Sequence, residues 1–462
     1  MKNKRIWLAL LLVFTLVLGA CGQKPEEPAA TEPATQEAGA ETTEEQEDTE
    51  KPEETEAAGA VAGELTVQAE EAWVPYYEAA IARVKEANPD ANIRIIEMGA
   101  FDHLDTIDKT DPTNPDVADL FALPADRVYG LVNNEILGAV DSKAIAEKVG
   151  GWDDFDAGIG GNFNIDGEYF AFPYNIETLI LFINKANAEA AGVDTTQPME
   201  AMEMGADQLL LPLFDAWYGV AVTNSSDIDL LGKDGDAFVS DMTLPFEELP
   251  AEKQATMKGI FDYWKANYDA GSSLFDTDAG WGYIDTTFTS GNAGIVRLGG
   301  PWETNAISGF TNEGADMEVQ PIGNLTFAGK PLRHWQSGWG LGINVRIEED
   351  ADKVALAEAL IAEIVNPEYA VDLFKATGKI LENVGPEVYT GSDLSDSDKA
   401  VIESVILSYQ DAPARPLFLE WGSVWDTWKN AVLSWNSVTP ADEAAAYNEI
   451  KASFDAMMLN VQ

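Results

Sequence analysis

The sharpest change of hydrophobic pattern along the chain lies between residues 164 and 185. The dipeptide Asp166-Gly167 is a strong signal for a tight turn between two strands. Residues 168–172 then alternate as a half-buried strand does, and Pro173 is expected to end that strand because it has no N–H to donate. The continuous apolar run of residues 178–183 predicts a strand that is buried on both faces of a mostly parallel sheet.

The connector between these two predicted strands, residues 173–177, places Tyr174 and Glu177 close together. Binding groups are often found on connectors that a rigid scaffold positions. A solvated turn before a core strand explains the same pattern, so the connector alone does not establish a site.

The chain from residue 61 onward alternates between strand and helix patterns. Strand patterns cover residues 64–69, 92–96, 115–123 and 335–345, and helix patterns cover residues 73–87, 128–135 and 352–364. The first strand, helix and second strand form a βαβ unit, which implies a parallel sheet. The roughly 400 residues from position 61 are enough for two domains with sizeable cores.

The N-terminus has the pattern of an export signal. Residues 1–20 combine a basic start with an apolar stretch that is too short for a confident membrane span. Leu18-Gly19-Ala20-Cys21 resembles a bacterial lipobox, which implies a signal peptide over residues 1–20 and a lipid on Cys21. An unmodified thiol is the alternative. Cys21 is the only cysteine, so no internal disulfide is expected.

Residues 21–60 are expected to form a disordered, acidic tether. The segment is rich in Glu, Thr, Pro and Ala and has no aromatic residue, so it cannot bury enough apolar surface to offset the entropy of ordering. Its many like charges favour an extended chain.

Charge and histidine content exclude several function classes. The chain has 28 basic and 80 acidic residues and a formal net charge of -52, which argues against binding nucleic acid or anionic lipid headgroups through charge. The two histidines, His103 and His334, lie in no metal-spaced cluster, so neither a zinc site nor a histidine-based triad is expected. No cofactor and no metal are predicted.

One motif carries a resemblance to a known family. It consists of Gly167, Tyr169, Pro173, Glu177, Asn184 and Lys185, in the pattern G-x-Y-x-x-x-P-x-x-x-E-x-x-x-x-x-x-N-K. This motif resembles the first interlobe crossing of the family 1 extracellular solute-binding proteins, and is most like that of the maltose/maltodextrin-binding proteins. There the segment passes between two α/β lobes, and its glutamate faces the sugar.

The resemblance implies a periplasmic-binding-protein-like α/β fold: two doubly wound lobes joined by hinge crossings, with the ligand in the cleft between them. It places lobe 1 at about residues 61–174 and 333–380, and lobe 2 at about residues 178–330 and 381–462.

Two further motifs of the resemblance carry tryptophans. Residues 288–302 end in Gly-Pro-Trp and resemble the family's loop whose tryptophan, here Trp302, lies flat against a sugar ring. Residues 416–432 resemble the family's late helix and put Trp425 in a stacking position. Lys429 replaces an arginine in that helix, which puts a bidentate contact in doubt. Core packing is the alternative for each tryptophan.

The remaining candidate ligand residues also rest on the resemblance. Asp126 and Arg127 align with an Asp-Arg pair that contacts the sugar, although a surface ion pair is the alternative. Glu70 and Glu71 follow the first strand, at the edge where doubly wound sheets bind ligands, and a charge pair at a helix N-terminus is the alternative.

The segment of residues 209–222 adds three candidates. Asp215, Trp217 and Tyr218 resemble a second-lobe segment in which an acidic residue precedes an aromatic one. A helical core explains the same strongly apolar context.

The expected function is binding without catalysis. Aromatic faces would stack on glucose rings while acidic and amide groups bond hydroxyls, and the resemblance implies capture of an oligosaccharide, expected to be an α-1,4-glucan, for an ABC transporter permease. The protein is expected to be a monomer, lipid-anchored through Cys21 at the extracellular face of the bacterial cytoplasmic membrane.

Two alternatives stay open. A glycoside hydrolase would use two carboxylates from among Asp126, Glu177 and Asp215. A polyamine receptor would use the acidic residues and tryptophans for cation–π recognition.

Overall fold

The computed structural model describes residues 63–152, 154–235 and 237–461. The predicted signal peptide, Cys21 and the predicted tether lie outside the described residues. The strands are β1 Gly63–Ala69, β2 Ala91–Glu97, β3 Leu120–Pro124, β4 Leu137–Gly138, β5 Asn164–Ile165, β6 Glu168–Tyr169, β7 Phe172–Glu177, β8 Ile180–Asn184, β9 Met199–Glu200, β10 Leu209–Leu210, β11 Gly232–Asp234, β12 Ala237–Val239, β13 Val296–Gly299, β14 Met317–Gln320, β15 Leu325–Phe327, β16 Lys330–Pro331 and β17 Ser337–Asn344.

The α-helices alternate with these strands along most of the chain. They are α1 Val74–Ala87, α2 Ala100–Lys109, α3 Val128–Asn133, α4 Ser142–Val149, α5 Lys185–Ala191, α6 Ala216–Thr223, α7 Ala251–Asp269, α8 Gly280–Phe288, α9 Thr304–Phe310, α10 Ala351–Ile364, α11 Ala370–Thr377, α12 Pro386–Thr390, α13 Asp396–Gln410, α14 Gly422–Val438 and α15 Glu443–Val461. No helix within the described ranges is long and apolar enough to cross a membrane.

The first lobe is built on a sheet with the strand order β2-β1-β3-β17, in which β17 also pairs with β4 and β7. β1 and β2 run parallel over their whole length, with α1 connecting them, which confirms the predicted βαβ unit. The apolar face of α1 packs on the sheet because Tyr77, Ala80 and Val84 fall one turn apart and are buried. α10 covers both α1 and β1.

The second lobe is built on the sheet β10-β13-β8-β14. All five residues of β8 are fully buried, so the prediction of a strand covered on both faces is confirmed. The expected parallel neighbours are wrong, because β8 runs antiparallel to both β13 and β14. A continuous apolar run reports burial on two faces and carries no information on strand direction. α13 packs against this sheet, and α14 packs against α6 and α15.

The motif around residue 170 folds partly as predicted. Asp166 and Gly167 adopt positive φ values of 55° and 95° and form the turn between β5 and β6. Pro173 does not end a strand, because β7 runs through it to Glu177. β7 pairs with β17 on one side, and its register shifts where Gly340 faces Pro173. A proline is tolerated at such an irregular position of a strand because no ladder hydrogen bond is lost there.

The strand predicted for residues 115–123 begins only at Leu120. The residues before it are held in a loop, because the carboxylate of Asp119 accepts hydrogen bonds from the backbone N–H of Thr66 at 2.7 Å and from Arg346 at 2.7 Å.

Within the described ranges, the chain passes between the lobes at three crossings, residues 178–179, 332–336 and 378–385. The third lies beside the first, because the N–H of Ile176 donates to the carbonyl of Ile380 at 2.9 Å. A further segment, residues 411–418, runs against the second crossing, where Gln336 donates its N–H to Pro413. The crossings therefore form the floor between two lobes, which confirms the predicted bilobal α/β architecture.

Candidate functional site: the cleft between the lobes

A cleft of about 940 Å³ lies between the two lobes and reaches down to the crossings. Of the predicted ligand residues, those that line it are Glu70, Asp126, Arg127, Glu177, Trp217, Trp302 and Trp425. Those that do not line it are Glu71, Tyr174, Asp215, Tyr218 and Lys429. Other lining residues, among them Trp73, Phe101, Trp339, Lys379 and Arg415, were not anticipated from the sequence.

The second lobe contributes a wall of three tryptophans, Trp217, Trp302 and Trp425, which we call the tryptophan wall. Trp302 is 50% exposed, and its ring centroid lies 6.4 Å from that of Trp217. Trp335 packs edge-on behind this wall, with its centroid 6.0 Å from Trp217 and 6.1 Å from Trp425. Trp335 thus supports Trp217 and Trp425, and all three indoles of the wall line the cleft.

The tryptophans of α14 and of the turn before it either pack in the core or line the cleft. In α14 and the turn before it, Trp421, Trp428 and Trp435 are buried, and the indole N–H of Trp428 donates to the carbonyl of Leu213 at 2.7 Å. Trp425 lies between these positions on the helix and reaches the cleft. Core packing therefore explains three of the four tryptophans in this stretch, and the cleft receives the one that the motif indicated.

The loop that carries Trp302 is fixed by a network beneath it. The carboxylate of Glu303 accepts hydrogen bonds from the N–H of Gly300 at 2.9 Å, from Arg297 at 3.0 Å and from the hydroxyl of Tyr218 at 3.1 Å. Burial raises the pKa of Tyr218 above its usual range, and the neighbouring Glu303 carboxylate adds to this effect. Tyr218 therefore supports the loop from inside the lobe, which corrects its expected place on the cleft surface.

Asp215 supports the tryptophan wall in a similar way. It is the N-cap of α6, where its carboxylate accepts the N–H of Trp217 at 2.9 Å. Burial raises the pKa of Asp215, against the opposing effects of that N–H and of the charge of Lys429. Asp215 and Lys429 were both predicted to bind the ligand, and neither of them lines the cleft.

The predicted Asp126-Arg127 pair separates in the structure. Asp126 forms an ion pair with Arg415 at 2.6 Å, whereas Arg127 forms two hydrogen bonds to Asp108 at 2.7 and 2.9 Å. Arg127 therefore forms a surface ion pair, with Asp108 as its partner. Its side chain also borders the cleft. The second carboxylate oxygen of Asp126 is buried and has no hydrogen-bond partner among the described residues.

Arg415 connects Asp126 to the tryptophan wall. Its guanidinium carbon lies 5.0 Å from the ring centroid of Trp217 and 5.9 Å from that of Trp425. A second guanidinium nitrogen donates to the hydroxyl of Ser337 at 2.9 Å. The side chain of Arg415 is only 5% exposed, so its guanidinium interacts with these neighbours and holds Asp126 in place.

Glu177 lines the cleft from the end of β7. It accepts a hydrogen bond from the indole N–H of Trp339 at 3.3 Å. Burial raises the pKa of Glu177, and the positive charges of Lys379 and Arg415 oppose that rise. Glu177 is the last residue of β7, directly before the first crossing, and its role in ligand binding stays a prediction.

Three other predicted residues differ in their surroundings. Glu70 lines the cleft, and its carboxylate also accepts the N–H of Ala100 at the start of α2 at 3.2 Å. Glu71 is exposed in the turn before α1, so the alternative of a charge at a helix N-terminus describes it. Tyr174 is fully buried and accepts a hydrogen bond from the hydroxyl of Tyr77 at 3.0 Å, so it belongs to the lobe 1 core.

Comparisons with known proteins point to one family. Residues 79–400 match the model of a family described as bacterial extracellular solute-binding protein. The maltodextrin-binding protein MdxE of Bacillus subtilis is 24% identical over 385 residues, which cover 78% of this chain and 82% of that protein.

Solved structures share the fold. The maltose-binding periplasmic protein MalE from Listeria monocytogenes in complex with maltose has a TM-score of 0.64 and 17% identity, over 85% of this chain and 97% of that one. MalX from Streptococcus pneumoniae in complex with maltopentaose has a TM-score of 0.63 and 19% identity, over 86% of this chain and 100% of that one. At these identities the likeness establishes the two-lobed architecture.

Proposed function

Because this chain belongs to the bacterial extracellular solute-binding protein family, we propose that its cleft captures oligosaccharides of the maltose and maltodextrin type for an ABC importer. The observation that carries this proposal is the tryptophan wall of Trp217, Trp302 and Trp425. Flat aromatic faces suit the apolar faces of sugar rings. The buried free oxygen of Asp126 and the carboxylate of Glu177 supply acceptors for hydroxyl groups.

The charge of the cleft favours a neutral ligand over a polyamine. In the whole chain acidic residues outnumber basic ones by 80 to 28. Among the described residues, four acidic and four basic residues line the cleft: Glu70, Asp126, Glu177 and Asp398, with Arg127, Lys375, Lys379 and Arg415. The acidic excess of the chain is therefore not found among these lining residues, and Asp126 already pairs with Arg415.

Substitution of the tryptophan wall tests the proposal. Trp302→Ala and Trp425→Ala are each expected to lose roughly 1.5–3 kcal/mol of binding to maltotetraose, as for exposing a large apolar side chain. This is roughly one to two powers of ten in Kd, measured by calorimetry. Tyr268→Ala is the matched control, since Tyr268 is a 44% exposed aromatic residue that does not line the cleft. A glucan isotherm unchanged by both tryptophan substitutions would contradict the stacking assignment.

We further propose that the ligand leaves the cleft intact. A glycoside hydrolase needs two carboxyl groups beside the scissile bond. Asp215 caps α6 away from the cleft lining, and Asp126 is held in its ion pair with Arg415. Chromatography after incubation with maltotetraose should return only maltotetraose. Shorter sugars released over many turnovers by the purified protein would establish catalysis instead.

Anchoring through Cys21 completes the proposal. The export signal and the lipobox-like Leu18-Gly19-Ala20-Cys21 support a lipid on this residue at the extracellular face of the cytoplasmic membrane. Cys21→Ser is expected to abolish labelling of the protein by radioactive palmitate in cells, because no other cysteine is present to accept a thioether-linked lipid. Undiminished labelling of that variant would reject the anchor.

A further inference from the structure

The side chain of Lys379 ends among three aromatic rings at the floor of the cleft. Its ammonium nitrogen lies 4.9 Å from the ring centroid of Trp73, 4.8 Å from that of Tyr174 and 4.9 Å from that of Trp339. We call these three rings the ring cluster. The same ammonium donates a hydrogen bond to the side-chain oxygen of Asn175 at 3.1 Å.

The ring cluster is held by elements other than the one that carries Lys379. Trp73 lies in the turn before α1, Tyr174 in β7 and Trp339 in β17, whereas Lys379 lies on the third crossing. The three rings are each at most 7% exposed. Two of the rings are held by hydrogen bonds, that of Tyr174 with Tyr77 and that of Trp339 with Glu177. The cluster is therefore preorganised independently of the lysine.

A cluster of this kind is suited to organic cations. Cations are attracted to aromatic faces within about 6 Å of the ring centroid, and several such faces together form the cages that bind quaternary ammonium groups. Burial lowers the pKa of Lys379 to about 8, and the negative charges of Glu177 and Glu70 oppose this fall, so both carboxylates act on the position of the ammonium. Trp73 and Trp339 also line the cleft, so a solute that enters the cleft reaches the cluster.

We propose that Lys379 is a specificity-determining residue whose tethered ammonium occupies the ring cluster and thereby excludes organic cations from the cleft. The inference deepens the proposed function, because it explains how a cleft rich in aromatic rings, in a protein of net charge -52, is reserved for neutral solutes. Only the neutral identity of the solute rests on that function. The exclusion of cations rests on the ring cluster itself.

The test removes the tethered cation and supplies a free one. Lys379→Ala is titrated with choline and with 3,3-dimethylbutan-1-ol, which has the same shape without the charge. The variant is expected to bind choline at least about tenfold more tightly than the wild type does, and at least about tenfold more tightly than it binds the neutral analogue. Lys375→Ala is the matched control, because Lys375 lines the same cleft but pairs with Asp393 at 2.7 Å. This control should bind choline no better than the wild type.

A folded Lys379→Ala protein that binds choline no better than the wild type would overturn the proposal, as would equal gains in both lysine variants. A second measurement serves if Lys379→Ala does not fold. In wild-type protein with labelled lysines, NMR should show ε-proton resonances of Lys379 shifted upfield by ring currents, and Lys379→Gln should remove this set. The resonances of Lys143 and Lys233, which also lie over aromatic rings, should remain. Unshifted resonances at Lys379 would overturn the proposal. Maltotetraose titrations of the same samples test the proposed function independently of the exclusion of cations. The proposed function fails if the wild type binds no glucan, whatever the result with choline.

Discussion

Gly300 is the residue on which the ring of Trp302 rests. A Cβ atom added at Gly300 would lie 2.1–2.3 Å from three atoms of that indole, which is closer than atoms can approach. The backbone of Gly300 has φ -93° and ψ 164°, a conformation that alanine adopts readily. The glycine is therefore needed for the space that it leaves to the indole.

Gly300→Ala is predicted to weaken glucan binding with little effect on stability, because the added methyl group displaces the Trp302 ring from the cleft wall. The expected loss is at least about fivefold in Kd, up to the loss caused by Trp302→Ala. Gly309→Ala, in the helix that follows, is the matched control, since its added Cβ meets no atom within 4 Å. Calorimetry with maltotetraose compares the three proteins. Equal affinity of Gly300→Ala and wild type would show that the indole position does not matter.

The sequence reveals a cleft residue when a local motif carries it, as for Glu177, Trp302 and Trp425. Arg415 was missed because its role depends on Asp126, which lies 289 positions away in the chain. Lys379 was missed because it lies on a crossing, where no periodic pattern marks the direction of a side chain. Tyr174 was misplaced because the irregular register of β7 against β17 decides which residues face the core.

β17 is the element that brings the first lobe and the crossings together. It pairs with β3 on one side and with β4 and β7 on the other, and every one of its residues is buried. Glycines at positions 338, 340 and 342 allow neighbouring groups to approach closely. A Cβ at Gly338 would lie 2.1 Å from the carbonyl oxygen of Asn175 and 1.9 Å from a methyl group of Ile159.

Gly338→Ala is predicted to destabilise the protein by about 1–3 kcal/mol or more, since the backbone of β7 must move to admit the methyl group. Chemical denaturation measures the change in the free energy of unfolding. Gly282→Ala is the control: Gly282 lies inside α8 with open space around its Cβ position, so alanine should be neutral or stabilising by up to about 1 kcal/mol. Similar stabilities of the two variants would contradict the close contact.

Element types were predicted well where an apolar pattern spans several turns or a whole buried strand. α1, α10 and β8 are examples, because burial of one helix face or of both strand faces leaves a regular trace in the sequence. The pairing of strands could not be predicted from the sequence pattern. Which strands meet in the folded chain decides that β8 has antiparallel neighbours and that β7 continues through Pro173.

At the scale of the whole molecule, both histidines are buried in an acidic protein. His103 accepts a hydrogen bond from the N–H of Ala118 at 2.9 Å, and burial, with the charge of Arg346, lowers its pKa to about 4. Burial lowers the pKa of His334 to about 3, against the hydrogen bond to the carbonyl of Trp217. In the unfolded chain both histidines take up a proton near their ordinary pKa of about 6.5.

The free energy of unfolding should therefore fall as the pH drops below about 6.5. In this range the histidines bind protons in the unfolded chain, whereas in the folded protein they stay neutral until the pH approaches their lowered pKa values. For His103 this loss amounts to about 2 kcal/mol between neutral pH and pH 5. His103→Gln keeps an acceptor for the N–H of Ala118. Between neutral pH and pH 5 this variant should lose about 2 kcal/mol less stability than the wild type does. Urea denaturation of the wild type and of His103→Gln at both pH values measures the two losses of stability. The contributions of the carboxylates and of His334 are the same in both proteins and cancel when the losses are compared. Parallel losses in both proteins would contradict the assignment.

We propose above all that the cleft binds a neutral glucan. The most direct measurement is calorimetric titration of the protein comprising residues 61–462 with maltotetraose and with spermidine, each at low and at high ionic strength. Maltotetraose should bind with a Kd that changes by less than roughly twofold with salt, because a neutral ligand has no net charge to screen, and spermidine should not bind. Absence of binding to maltotetraose, or binding of spermidine that weakens steeply with salt, would contradict the claim.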